Sequence, residues 1–331
     1  MKNKVLTGDF VRKYAIVLVL VLISILFSIL NPAFCTISNL MQVLRNISIS
    51  GIVAVGMTCC ILTGGFDLSV GTIQGFAVIV MAVCILNWGL PVWVAVLLSI
   101  VAGVIIGFIN GILITRLNIA PFIATLATQE IFRGIIYVIT GAKPMFGYDS
   151  SFTVVGQGKV GIIPIPIFFF AVIFALGCWF LTKTTFGRYI YGVGGNAEAA
   201  RLTGVNVNFV KTMVYVLSGF LSAVSGTILA SRLNSGQPRA GIGLEFDVIT
   251  AVVLGGVSLS GGSGRLTGVL VGLLITGVLS NGLIMVGVTE YYQMIITGLV
   301  LIVAVGFDAT SQMRRNSMSE RQLKELQEKK N

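Results

Sequence analysis

The chain has 331 residues, of which 56% are hydrophobic and only 10% charged, and its mean hydropathy is +0.98. Soluble domains carry about 25% charged residues, so this chain cannot cover a water-facing surface and reads as an all-α polytopic membrane protein. A membrane β-barrel would show segments of alternating polarity. Here the apolar runs are continuous, as in "YAIVLVLVLISILFSIL". There is no histidine, which excludes His-based catalytic triads and His-ligated metals. Of five cysteines, Cys59, Cys60, Cys84 and Cys178 lie in apolar runs and read as packing residues; the fifth is Cys35.

Ten apolar runs follow in chain order: 14–30, 47–63, 68–86, 91–115, 119–140, 163–182, 212–231, 246–260, 266–286 and 290–308. Crossing the hydrocarbon layer takes about 20 residues. About ten transmembrane helices are therefore expected in one transmembrane domain, 1–310, followed by a basic tail, 311–331. The first run reads as a retained span rather than a cleaved signal. The runs at 47–63 and 246–260 are short and end in glycines, so tilted, broken or re-entrant segments are expected there. The 40 glycines suit close helix packing and breaks within the bilayer.

If all ten runs cross and the N-terminus is cytoplasmic, sixteen of the 22 Lys and Arg fall inside, five fall outside and Arg133 lies in a span. This positive-inside bias places both termini and the loop 183–211 in the cytoplasm. It also accounts for the net charge of +10 without nucleic acid. The basic tail reads as a solvated segment near anionic lipid headgroups.

The loop 183–211 holds "GGNAEAARLTGV". Asn196 is a good helix N-cap, Glu198 lies in the first turn, Arg201 follows three residues on, and Gly204 is a natural stop. The stretch is a complete helix, too short and polar to cross a bilayer. A second pattern is a weak internal repeat. "LTGGFDLSVGTIQG" (62–75) aligns with "LSGGSGRLTGVLVG" (259–272), matching Gly64, Gly65, Gly71 and Gly75 to Gly261, Gly262, Gly268 and Gly272. It reads either as a repeat in parallel orientation or as a chance likeness of glycine-rich turns.

No G-x-x-x-x-G-K-[ST] motif is present, so any ATP is hydrolysed by another chain. Glu130 and Arg133 form the one candidate intramembrane ion pair, at a spacing that shares a helix face, and a structural pair is the favoured reading. So few buried acids argue against an ion-coupled carrier. No carboxylate pair, Cys/His pair or metal spacing marks an enzyme, and no resident cofactor is expected. Polar residues in or beside spans, Asp67, Ser69, Gln74, Asn110, Thr125, Thr128, Gln129, Asn281 and Gln293, are candidates for a path suited to a neutral, hydroxyl-rich solute such as a sugar. Each taken singly reads as a helix–helix hydrogen bond.

Four motifs occur in order: "TGGFDLSVG" (63–71), "PFIATLATQEIFRGIIYVITGAKP" (121–144), "GRYIYGVGGNAEAARLTGVNV" (187–207) and "LASRLNSGQPRAGIGLEFDVITAVVLGGVSLSGGSGRLTG" (229–268). Together they resemble the permease subunit of bacterial ATP-binding-cassette importers for monosaccharides, the ribose permease group. Phe66 departs from the group's first motif, where Ile is common. The resemblance implies a multi-pass protein of the bacterial inner membrane. It also implies a second permease subunit, identical or not, an external sugar-binding protein, and a partner ATPase, often one chain with two cassettes, that binds ATP and Mg. By the same resemblance, a short cytoplasmic helix docks on that ATPase. The matching positions are Gly187, Arg188, Gly194, Gly195, Asn196, Glu198, Ala199, Ala200, Arg201 and Gly204. The cargo is expected to be ribose or a related sugar. Alternatives are a polyol or furanose cargo, an ion-coupled carrier, or a non-transporting scaffold.

Overall fold

The computed structural model describes residues 2–306 and 309–310. The expected tail, 311–331, and Asp308 lie outside them. The described chain is helical almost throughout. In order the helices are α1 Lys2–Leu30, α2 Ile37–Leu62, α3 Val70–Ala82, α4 Val92–Thr115 and α5 Pro121–Thr140. Next come α6 Ser150–Gln157, α7 Ile165–Lys183, α8 Thr185–Gly195, α9 Ala197–Leu202 and α10 Val207–Leu233. The last are α11 Leu244–Leu254, α12 Leu266–Met285 and α13 Glu290–Gly306. One turn of π-helix extends α3 to Asn87. A 3-10 turn, Pro32–Cys35, joins α1 to α2, and there are two strand pairs of two residues each: β1 Met145–Phe146 with β4 Ser235–Gly236, and β2 Lys159–Val160 with β3 Ile163–Pro164.

Each of the ten apolar runs forms a helix. Among the described residues, seven helices are long and apolar enough to cross a membrane. The spans α2, α3 and α10 are mostly buried and form the centre, while α4, α5 and α7 expose much of their apolar surface. Lipid can cover apolar surface of this kind, so burial in the protein is not required of it. On α4 the glycines at 103, 107 and 111 recur every four residues and form one seam. Added Cβ atoms there would meet α10 at Gly219, Tyr215 and Thr212. The two backbones approach closely because α4 has no side chains along that line.

The run at 47–63 is not short: α2 has 26 residues and begins at Ile37. Its first half is polar, which lowers hydropathy without breaking the helix. Thr36 caps it by accepting the Asn39 N–H at 3.3 Å. Asn39 and Asn281 of α12 exchange amide hydrogen bonds at 2.9 and 3.0 Å. Arg232 at the end of α10 donates to Asn46.

The run at 246–260 is short as expected, and its crossing is completed by non-helical backbone, a two-residue strand followed by turns. Asn234 takes a left-handed conformation (φ 51°) and ends α10. The chain then runs along α3. Gly236 packs on Ala82, Ala240 on Gly75, and Gly241 on Gly71. Those α3 positions span eleven residues, or about 16 Å at 1.5 Å per residue. The segment 235–243 therefore covers one half of the crossing and α11 the other. Bare backbone at that depth needs internal partners. Arg133 of α5 supplies two, donating from Nη1 to the carbonyls of Pro238 (3.1 Å) and Ala240 (2.9 Å).

Candidate functional site

One end of the bundle carries the short helices α8 and α9. Thr184 caps α8, its Oγ1 accepting the Gly187 N–H at 3.0 Å. Gly187 lies at the joint between α7 and α8, where an added Cβ would meet the carbonyls of Phe180 and Leu181. The helix α8 is amphipathic. Ile190 and Val193 are buried, while Arg188, Tyr189 and Gly192 are exposed. Its inner face meets the end of α2 and the loop after α11. A Cβ on Gly194 would collide with the Leu62 carbonyl and the Gly262 nitrogen, so only glycine fits. The Tyr191 hydroxyl donates to the Gly264 carbonyl at 3.0 Å. Burial pushes the Tyr191 phenol up from its ordinary value, so it stays protonated as that donor.

The expected small helix is α9. Asn196 Oδ1 accepts the Ala199 N–H at 2.9 Å, as an N-cap does. Gly204 is left-handed (φ 85°) and closes the far end, with the Val205 N–H returning to the Ala200 carbonyl at 3.1 Å. Arg201 Nη1 lies 3.2 Å from Glu198 Oε2. Glu198 thus meets Arg201 within the helix, and both side chains stay well exposed. Gly262 lies against Gly195, and a Cβ on Gly262 would strike the Gly195 backbone, whereas one on Gly195 would meet nothing within 4 Å. Ala199 is exposed and Ala200 half-buried.

Between α8 and α9 lies a hollow of about 330 Å³. Its lining includes Arg188, Tyr189, Asn196, Ala199, Thr203 and Val205. Leu202, at the tip of α9, is 83% exposed. Sequence reasoning missed Tyr189, Leu202, Thr203 and Val205. A clue was present: a leucine in a six-residue polar helix has no core of its own to enter. The arrangement is a projecting capped helix, an apolar tip and a shallow socket, all on a base that touches two membrane elements.

The polar path candidates are placed differently from expectation. Five converge in a closed cluster at the break between α2 and α3. Asp67 Oδ1 accepts the Ser69 N–H at 3.1 Å and the Ser69 hydroxyl, while Oδ2 accepts from Ser218 at 2.7 Å. Asn110 donates to Ser69 at 2.8 Å and accepts from Thr128 at 2.7 Å. Thr125 accepts the Leu68 N–H at 3.1 Å, and Tyr215 donates to the Phe66 carbonyl at 3.2 Å. This cluster joins α3, α4, α5 and α10 around the broken backbone, and its members are buried. Away from it, Gln74 bonds Ser225 at 2.8 Å, Asn281 bonds Asn39, and Gln293 donates to the Val288 carbonyl at 2.9 Å. These groups satisfy one another because lipid offers them no partner. Gln129 differs: it donates weakly to Glu245 at 3.4 Å, and its Oε1 has no partner among the described residues.

The expected Glu130–Arg133 pair does not form. Among the described residues the one ion pair within 4.0 Å is Glu198–Arg201. Arg133 turns to the broken span because two backbone carbonyls there have no helix to satisfy them. Glu130 faces outward.

The family described as the branched-chain amino acid transport system / permease component covers residues 39–305. The ribose import permease protein RbsC of Bacillus subtilis (strain 168) is 45% identical over 87% of this chain and 90% of its own. The L-arabinose transport system permease protein AraH of Escherichia coli (strain K12) is 40% identical over 92% and 93%. The galactose/methyl galactoside import permease protein MglC of the same strain is 38% identical over 91% and 94%. No solved structure matches the chain. A polytopic helical bundle with a braced external helix, matched over most of its length to transport permeases, belongs to the branched-chain amino acid transport system / permease component family.

Proposed function

We propose that this chain is the permease subunit of an ATP-driven importer in the bacterial inner membrane, carrying ribose or a related monosaccharide inward by alternating access. The projecting α9, braced through α8 onto α2 and the 255–265 loop, carries this reading. A chain with no nucleotide-binding motif needs an external motor, and α9 offers a rigid element for one to push. In this reading the α9 end and both termini face the cytoplasm. An ATPase subunit, with both cassettes in one chain, binds ATP and Mg and docks at α9. A second permease subunit completes the translocation unit, and an external sugar-binding protein delivers the solute at the opposite end.

The ribose permease relatives favour ribose, and the arabinose and galactoside permeases keep related sugars as the second reading. The test is uptake of labelled ribose, arabinose and galactose by the permease reconstituted with its ATPase and binding protein. ATP-dependent ribose uptake, absent when the ATPase is omitted, is the expected result. Uptake driven by a proton or sodium gradient with the permease alone would sink the proposal.

A further inference from the structure

Glu130 is the tenth residue of the twenty-residue α5, so about 14 Å of helix separates it from either end. That is the middle of a bilayer. Its side chain is exposed, as are its neighbours on that face, Ala127, Ile131 and Gly134. No ion pair holds it. A carboxylate at that depth is expensive in lipid, and such groups face a protein interior or a water-filled space. This chain's own bundle does not cover it.

Two other exposed charges sit at similar depth. Arg239 belongs to the non-helical half of the broken span and Asp247 to the first turn of α11. The broken span is tied to α5 at three points: Arg133 to Pro238, Arg133 to Ala240, and Gln129 to Glu245. Glu130 and Arg239 therefore flank one seam. The unpartnered Gln129 Oε1 lies beside them. A seam with exposed charge, midway through an otherwise apolar surface and backed by a buried amide oxygen without a partner among the described residues, is not a lipid-facing surface.

We propose that this α5 face forms a wall of the water-filled route taken by the sugar, and that Glu130 accepts hydrogen bonds from sugar hydroxyls as it passes. The inference rests on the sugar-permease reading above. It moves the route from the buried amides and hydroxyls of the bundle, whose bonding capacity is already used, to an acceptor that is free. Charge-assisted hydrogen bonds to a carboxylate are stronger than neutral ones, and hydroxyl-rich solutes supply the donors.

The test places a thiol at Glu130→Cys, with Cys35→Ser and Cys178→Ser in the background, in vesicles containing the whole transporter. A charged, water-soluble thiol reagent should label it at least tenfold faster than Val172→Cys on α7, which is also exposed. Saturating ribose with the binding protein and ATP should slow the labelling severalfold. In parallel, Glu130→Leu should lower uptake at least tenfold and the near-isosteric Glu130→Gln by less, with ATPase co-purification unchanged for both. Labelling no faster than at Val172→Cys, or wild-type uptake by Glu130→Leu, would overturn the proposal. If the unaltered complex moves none of the labelled sugars, the functional reading fails instead, and the labelling rates still decide whether this face is wet.

Discussion

The Gly262 N–H donates to the Leu62 carbonyl at 2.9 Å, and Gly194 packs over both. Leu62 ends α2, Gly262 lies in the loop before α12, and Gly194 is the last but one residue of α8. The two glycine-rich segments paired in the sequence therefore touch each other. Gly64 and Gly261 are both left-handed, and a Cβ on Gly261 would strike Gly64. Their contact lies directly under the base of α9. A displacement of α9 reaches both segments through one backbone junction with no side chains in which to absorb it.

Gly194→Ala should break that junction. Its methyl group would overlap the Leu62 carbonyl, and overpacking of this kind costs about 1–3 kcal/mol. The variant is expected to unfold at lower temperature in detergent and to lose most sugar uptake. Gly298→Ala in α13, where an added Cβ meets nothing within 4 Å, is the control and should behave as the parent.

Changing Arg188, Glu198 and Arg201 together to Ala should leave the protein inserted and stable. The Glu198–Arg201 pair is exposed, and exposed pairs contribute about 0–1 kcal/mol. If α9 couples to an ATPase, uptake should fall at least tenfold while ATP hydrolysis continues without transport. Normal uptake by the triple variant would remove α9 from the coupling role.

Leu202→Asp tests the apolar tip separately. The side chain is 83% exposed, so the isolated permease should lose no stability. Co-purification of the ATPase should drop severalfold, because a charge at a packed contact carries a desolvation cost. Unchanged recovery of the ATPase would place the contact elsewhere on the α8–α9 surface.

Asp67→Ala should be among the most damaging single changes. It removes the acceptor for the Ser69 N–H, the Ser69 hydroxyl and the Ser218 hydroxyl, all buried. Stranding buried donors costs about 1–3 kcal/mol each. Asp67→Asn keeps an acceptor and should cost less. Thermal unfolding of the two purified variants orders them; equal loss would show that charge, not bond count, matters at this position.

Arg133→Gln should destabilise the fold, since it leaves the Pro238 and Ala240 carbonyls short of donors in the membrane. Glu130→Gln should not, because Arg133 does not pair with it. A double-mutant cycle on unfolding temperature between the two positions should show coupling near zero. Strong coupling would restore the ion pair that their spacing suggests.

While the short helices α6 and α8 are not anticipated, the apolar helices in their order, the short eighth run and the capped α9 are written in local sequence. Each depends on contacts within a few residues: an unbroken apolar run of about span length, Asn196 over Ala199, a left-handed Gly204. Hydropathy misjudged the start of α2, because Asn39 and Asn46 are satisfied by Asn281 and Arg232, nearly 190 or more residues away. The i, i+3 spacing of Glu130 and Arg133 permitted a pair, and only the neighbouring backbone decided otherwise.

The candidate path residues show the same division. Sequence marks Asp67, Asn110 and Thr128 as polar and intramembrane, and nothing local tells a brace from a pore. The fold decides it by bringing α3, α4, α5 and α10 together so that each of these buried polar groups bonds another. Composition alone determined that the chain lives in a membrane, because 10% charge cannot solvate 331 residues. Which of its few polar groups stay free depends on distant helices, because a buried donor in lipid is satisfied only by whatever the tertiary packing puts beside it.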